Sequence, residues 1–193
     1  WRKVLKKTKP SQDHHQIAVR ELGKNLERFG DLEGALQLYT RFLKRLPRSH
    51  WIRPEIFERI LDLHRQTGDL EALLKNLKRY VSGLDQLRAK ARILEELART
   101  DEAIKIYEKM LRRYRYAPEP YERLARLYRL QGRLNDIAKL LKKQMRSMPG
   151  EVRVRFELAR VLGELGRSKS ATRLLEETSS RFARDPSVQS EVV

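Results

Sequence analysis

The chain has 193 residues, of which 43 are Lys or Arg and 26 are Asp or Glu, so its formal net charge is +17. With 40% hydrophobic and 36% charged residues, it is too apolar for a disordered polyelectrolyte and too polar for a membrane-spanning chain. The absence of cysteine excludes disulfides, thiolate metal sites and cysteine nucleophiles. The positive charge is spread along the sequence, which predicts a folded body with a basic surface instead of a basic tail.

The first predicted element is a basic lead-in, residues 1–15, or the end of a preceding helix. Within it, residues 1–9 place a tryptophan before a cluster of cations, a pattern typical of the cytoplasmic flank of a membrane span. One interpretation is therefore a cytoplasmic domain tethered to the inner face of a membrane by a segment preceding Trp1. The alternative is an untethered cytoplasmic protein whose first helix packs Trp1, Val4 and Leu5 on Ile17.

Short turns then recur along the chain with a period of about 34 residues. Four contain glycine, the fifth has alanine at the equivalent place, and their positions are Gly30, Gly68, Ala98, Gly132 and Gly166. This period predicts helix-turn-helix units at 16–49, 54–83, 84–117, 118–151 and 152–185, with a capping helix or the start of a further repeat at 186–193. Four extra residues near 50–53 offset four missing near 82–83. We therefore expect a longer connection or first helix in the second repeat and a shorter one in the repeat that follows. We also expect Trp51 to cover the exposed seam.

The residues inside these units resemble the tetratricopeptide repeat family. Apolar residues recur at helical spacing in each second helix, and no stretch alternates with the period of a strand. The matching residues include Leu22, Gly23, Ala35, Tyr39 and Pro47 in the first unit, and Tyr121, Leu124, Ala125, Tyr128, Leu141 and Pro149 in the fourth. The resemblance implies an all-α, right-handed superhelical solenoid of about five repeats. Membrane-tethered domains of this kind resemble scaffold subunits of bacterial envelope and polysaccharide-export complexes.

Residues capable of catalysis or metal binding do not form a known pattern. The segment 163–170 lacks the spacing of a phosphate-binding loop and falls at a predicted turn. The neighbours His14 and His15 diverge by about 100° on a helix, and no further ligand follows one turn later. We therefore expect no catalytic site, no metal site and no cofactor.

The resemblance places the ligand surface on the concave face, which the first helices line. The ninth place of each unit holds Lys24, Asp62, Arg92, Arg126 or Arg160, and neighbouring places contain further arginines and Glu58, Glu95, Glu119 and Glu122. Guanidinium groups donate paired hydrogen bonds to carboxylates, so we expect a protein partner with an acidic or extended polar segment. The candidate partner-binding residues are Arg20, Lys24, Arg88, Arg92, Arg126, Arg129, Arg153 and Arg160. The alternative is that salt bridges with these glutamates satisfy the arginines.

Two other functions are compatible with the net charge. A basic solenoid can bind nucleic acid or an anionic membrane. However, most aromatic residues fall at core positions of the repeats, which leaves few to stack on bases. A chaperone-binding carboxylate clamp is not expected either, because Asn76 and Asn135 fall on second helices. The sequence therefore favours a non-catalytic scaffold that binds another protein through its concave, basic groove, within a multi-protein complex.

Overall fold

The computed structural model describes residues 1–183, which fold into α-helices joined by turns. The helices are α1 (Arg2–Lys7), α2 (Asp13–Arg28), α3 (Leu32–Arg45), α4 (Arg53–Gln66), α5 (Leu70–Asn76), α6 (Gly83–Glu96), α7 (Thr100–Arg113), α8 (Pro118–Leu130), α9 (Leu134–Ser147), α10 (Val152–Glu164) and α11 (Ser168–Arg181). No strand occurs in this range, so the predicted all-α fold is confirmed. The possible cap at 186–193 lies outside the described residues.

The turns between paired helices occur where the period places them. All five turn residues have positive φ, from 56° at Ala98 to 78° at Gly30. A residue in this left-handed conformation ends a helix and lets the chain reverse into the next one. Ala98 adopts it without being glycine, and its Cβ makes that conformation unfavourable.

The chain divides into two compact units, Trp1–Leu97 and Ala98–Val193. We call them unit 1 and unit 2, and each is described by itself. The boundary falls inside the predicted repeat 84–117, between α6 and α7. Unit 1 contains the first helices α2, α4 and α6, and unit 2 contains the first helices α8 and α10.

Each unit buries its apolar helix faces. In unit 1 the core is centred on Tyr39, Ile60 and Leu73, which are almost completely buried. Gly23 lies directly beneath Tyr39, and the tyrosine ring occupies the space that a Cβ at this position would need. In unit 2 the buried tyrosines Tyr107 and Tyr121 take the central positions. No helix in residues 1–183 combines the length and apolar character needed to cross a bilayer.

The second repeat carries the irregularity that the spacing predicts, but in a different form. The connection before α4 runs over residues 46–52, whereas only residues 114–117 separate α7 from α8. The compensating deletion mainly shortens the second helix: α5 has seven residues, against 14 in α3 and α7, and passes into the 3₁₀ turn Leu77–Arg79.

The expectation that Trp51 covers a seam is wrong. Its side chain is 66% exposed, while the adjacent Ile52 is fully buried and occupies the apolar position instead. The indole stacks on the His50 ring, with 6.0 Å between ring centres, and the Arg20 guanidinium lies 5.7 Å from the indole ring centre. Trp51 is therefore available for contact with a ligand.

The lead-in forms the short helix α1, which packs against α2. Leu5 contacts the core of unit 1, whereas Trp1 and Ile17 each remain about half exposed. The His15 ring is buried between the two helices, with Nδ1 3.1 Å from the carbonyl oxygen of Thr8 and the ring stacked on Phe42. Burial lowers the pKa of His15, because the charged imidazolium is disfavoured away from water.

Candidate functional site

The first helices of unit 1 are joined by salt bridges that recur from repeat to repeat. Each joins an arginine on one first helix to a glutamate on a neighbouring first helix, over a separation of 31 to 35 residues. The pairs are Arg20–Glu55 (2.5 Å), Arg92–Glu58 (2.8 and 3.1 Å) and Arg65–Glu96 (2.6 and 2.7 Å). The last two are bidentate, which is the strongest geometry for a guanidinium and a carboxylate.

These contacts affect the ionisation of the paired groups. The hydrogen bonds from Arg65 lower the pKa of Glu96, and those to Glu58 raise the pKa of Arg92. Both shifts favour the charged forms of Glu96 and Arg92. The salt bridges therefore neutralise part of the positive charge that the sequence places on the first helices of unit 1.

Unit 2 has the same kind of contact and several exposed arginines on its first helices. Arg129 on α8 donates to Glu164 on α10 at 2.9 and 3.2 Å, so these first helices lie side by side. Arg126, Arg153 and Arg160 are exposed on the same two helices. Leu130 lies one turn beyond Arg126 and is 76% exposed. We call the surface formed by Arg126, Leu130, Arg153 and Arg160 the α8–α10 face.

The eight predicted residues thus fall into three groups. Arg20, Arg92 and Arg129 form salt bridges with a neighbouring first helix, as the alternative interpretation of these arginines predicted. Three others are close to carboxylates on their own helices: Lys24–Glu21 at 3.4 Å, Arg88–Asp85 at 3.4 Å and Arg160–Glu157 at 4.0 Å. The third group is defined by exposure alone and consists of Arg126 on α8 and Arg153 on α10. That the residues of both units share one concave surface stays a prediction.

Sequence reasoning did not find a cleft in unit 1. It has a volume of about 340 Å³ and lies between the long connection before α4, the chain after the 3₁₀ turn, and the helices α4 and α6. We call it the Trp51 cleft. Its lining includes Trp51, Phe57, Tyr80 and Val81 and the basic residues Arg48, Arg53, Lys78, Arg79, Arg88 and Arg92, against the acidic residues Glu58 and Asp85.

Arg53 joins the two loops that form this cleft. Its Nη1 donates to the carbonyl oxygens of Leu43 and Leu46, at 2.6 and 3.1 Å, and its Nη2 donates to that of Tyr80 at 2.8 Å. Burial, with a smaller contribution from the nearby Arg48, lowers the pKa of Arg53, although arginine remains charged at neutral pH. One side chain therefore connects the end of α3 to the chain after the 3₁₀ turn.

The sequence signal that could have indicated the cleft was the insertion near residues 50–53 together with the deletion near residues 82–83. An insertion and a deletion on either side of one short helix leave two loops of unusual length close to each other. Trp51 occupies the insertion, and Arg53 supplies the connection. In residues 1–183, no group of three or more histidine or acidic side chains is arranged to hold a metal ion.

Comparison with known proteins gives a family match and several structural matches. Residues 84–127 match the tetratricopeptide repeat model. No curated protein matches the sequence. A MamA crystal structure matches 88% of this chain and 94% of its own, with 16% identity and a TM-score of 0.53.

Two further structures extend this comparison. A MamA fragment from Desulfovibrio magneticus RS-1 has 16% identity and a TM-score of 0.53, over 88% of this chain and 96% of that one. YrrB, described as a TPR protein with an unusual peptide-binding site, has 11% identity and a TM-score of 0.52, over 98% of this chain and 95% of that one. At these identities the likeness concerns the fold alone. Together with the family match, it confirms the resemblance: this is a chain of tetratricopeptide repeat fold, with a recognisable tetratricopeptide repeat at residues 84–127.

Proposed function

We propose that this protein is a non-catalytic scaffold that binds an acidic or extended polar segment of a protein partner. The tetratricopeptide fold supports a protein-interaction role in general. The observation that carries the finer proposal is the α8–α10 face, where Arg126, Arg153 and Arg160 are exposed on adjacent first helices next to an exposed Leu130.

The geometry of this face suits an extended ligand. Arg126 and Arg160 take the same place in consecutive repeats, so their side chains are spaced by one helix-to-helix step. The Arg129–Glu164 salt bridge joins α8 to α10 beside this face. Charged side chains on an open surface increase the association rate of an acidic partner more than its final affinity.

Lys24 and Arg88 offer similar donors in unit 1, although each already has a carboxylate on its own helix. Such exposed pairs are weak in water, so an incoming carboxylate can replace the internal one at little cost. In each unit, the arginines that are salt-bridged to a neighbouring first helix contribute less net charge than the others; they are Arg20 and Arg92 in unit 1 and Arg129 in unit 2.

The test compares two charge reversals of equal size. The variant Arg126→Glu/Arg160→Glu alters the α8–α10 face, and Lys142→Glu/Lys143→Glu alters exposed residues of the second helix α9. Bound proteins are recovered by crosslinking and quantified against wild type, after nuclease treatment. We expect the first variant to lose partners about tenfold and the control to keep them, with equal helicity in both.

Two further arms address the alternative ligands. Binding to oligouridylate is measured by anisotropy, and binding to phosphatidylserine vesicles is measured by sedimentation, both across a salt series. Tighter binding in either arm than to any recovered protein would favour the nucleic-acid or membrane alternative. Equal losses from the two charge reversals would contradict the α8–α10 face and indicate diffuse electrostatics.

A further inference from the structure

We infer that the Trp51 cleft is a second binding site, which takes a short acidic peptide segment carrying an apolar side chain. This inference rests on the proposed protein-binding function and adds a site in unit 1 with its own ligand chemistry. The insertion before α4 and the shortened α5 create it together.

Three cations at the cleft lack an internal counter-charge. Arg48, Lys78 and Arg79 are exposed, and none of them forms a salt bridge with another residue in the part of the chain that the structure describes. The two acidic residues of the lining are already engaged, since Glu58 pairs with Arg92 and Asp85 pairs with Arg88. The cleft therefore has an excess of positive charge that suits carboxylates.

The apolar part of the cleft is suited to a side chain of the ligand. The Trp51 indole is exposed, while Phe57 and Tyr80 contact each other with a ring separation of 6.5 Å and close the inner wall. A large exposed aromatic ring costs solvation free energy, and tryptophan and arginine are the residues that contribute most at protein interfaces.

The cleft is also held in place before any ligand arrives. The three hydrogen bonds of Arg53 fix the ends of both loops, as described above, and the bidentate Arg92–Glu58 pair joins α4 to α6 beside it. A rigid receptor loses less conformational entropy on binding than one that must first form.

The size of the cleft favours a peptide over a nucleic-acid strand. A volume of about 340 Å³ is at the lower end for ligand pockets and accommodates one or two side chains. A single strand of RNA usually requires several stacking platforms in succession. Of the aromatic side chains that line this cleft, Trp51 is exposed, whereas Phe57 is buried and Tyr80 is half-buried.

Tryptophan fluorescence tests the site directly. The chain has two tryptophans, so Trp1→Phe leaves Trp51 as the single reporter. The probe is the peptide Glu-Glu-Phe-Glu-Glu, and its analogues replace Phe by Ser or all Glu by Gln. We expect saturable quenching or enhancement with the first peptide and affinity about tenfold weaker with each analogue.

A matched pair of variants locates the binding. Arg48→Glu/Arg79→Glu should weaken the probe about tenfold, whereas Arg41→Glu/Lys44→Glu, an equal charge change on the exposed side of α3, should weaken it less than about threefold. Circular dichroism checks that both remain folded. If Arg48→Glu/Arg79→Glu unfolds, the variant Trp51→Ala takes its place. Its binding is measured by the fluorescence anisotropy of labelled probe peptide, and we expect the same loss of affinity.

The outcomes separate this inference from the proposed function. Equal weakening by both charge reversals, or oligouridylate binding more tightly than the peptide at Trp51, overturns the cleft as a peptide site. Probe binding that is lost with Arg48→Glu/Arg79→Glu supports the cleft even if Arg126→Glu/Arg160→Glu leaves partner recovery unchanged. Unchanged partner recovery with Arg126→Glu/Arg160→Glu would overturn the proposal for the α8–α10 face and would leave the cleft untouched.

Discussion

Replacing Arg53 by Met should destabilise unit 1 and open the Trp51 cleft. The substitution keeps the aliphatic stem but removes the guanidinium, which donates to the carbonyl oxygens of Leu43, Leu46 and Tyr80. A hydrogen bond that involves a charged group contributes about 1.5–3 kcal/mol, but water can reach these carbonyls once the guanidinium is gone. We therefore take about 1 kcal/mol for each bond and expect a loss of about 3 kcal/mol in the free energy of unfolding.

Urea unfolding followed by circular dichroism measures this loss, with Arg48→Met as the control, because Arg48 is exposed in the same cleft and makes no such bonds. A loss of about 3 kcal/mol corresponds to a midpoint lower by about 1–2 M urea. Arg53→Met should also abolish the Trp51 fluorescence response to the acidic probe. If the two variants unfold at the same urea concentration, Arg53 does not hold the loops together and the cleft is not preformed.

Three other predictions test the fold. Ala98→Gly should stabilise the chain by about 1 kcal/mol, because glycine tolerates the φ of 56°, whereas Ala171→Gly within α11 should destabilise it by a similar amount; a loss in both would contradict the strain. Gly23→Ala should cost about 1–3 kcal/mol in urea unfolding, because its Cβ overlaps the Tyr39 ring; a neutral effect would mean that the ring moves aside. His15 has a lowered pKa when folded, so its stabilising contribution is present above pH 6.5 and is lost as the pH falls below that value. The melting temperature should therefore fall between pH 7 and pH 5, and His15→Phe should reduce that fall; identical pH profiles would refute the assignment.

The sequence predicted those features that depend on the repeat period. The turn positions follow from the spacing of Gly30 and its equivalents, and even Ala98 adopts the backbone conformation that its place requires. The possibility that groove arginines pair with glutamates also followed, since Glu58 lies 34 residues before Arg92 and consecutive first helices are neighbours.

The features that were missed depend on loops, where the repeat period does not predict which side chains are buried. The burial of Ile52 instead of Trp51 is decided by how residues 46–52 fold, and sequence spacing does not report this. The cleft depends on a contact between Arg53 and the backbone of Tyr80, which are 27 residues apart and belong to parts of the repeat with unusual lengths. Every residue has a carbonyl oxygen, so the sequence does not indicate which one a side chain will contact.

The bidentate pair of Arg92 and Glu58 has a consequence for how this scaffold can change its specificity. Arg92 is a carboxylate receptor whose occupant is supplied by the chain itself, from the preceding repeat. Replacing Glu58 by Gln removes the charge of that occupant but keeps one oxygen that can accept a hydrogen bond from Arg92, so the link between α4 and α6 is weakened and not lost. The guanidinium then becomes available to an external carboxylate at the edge of the Trp51 cleft. Divergent copies of such an array can thus acquire new ligands by losing an internal competitor, without gaining a single new cation.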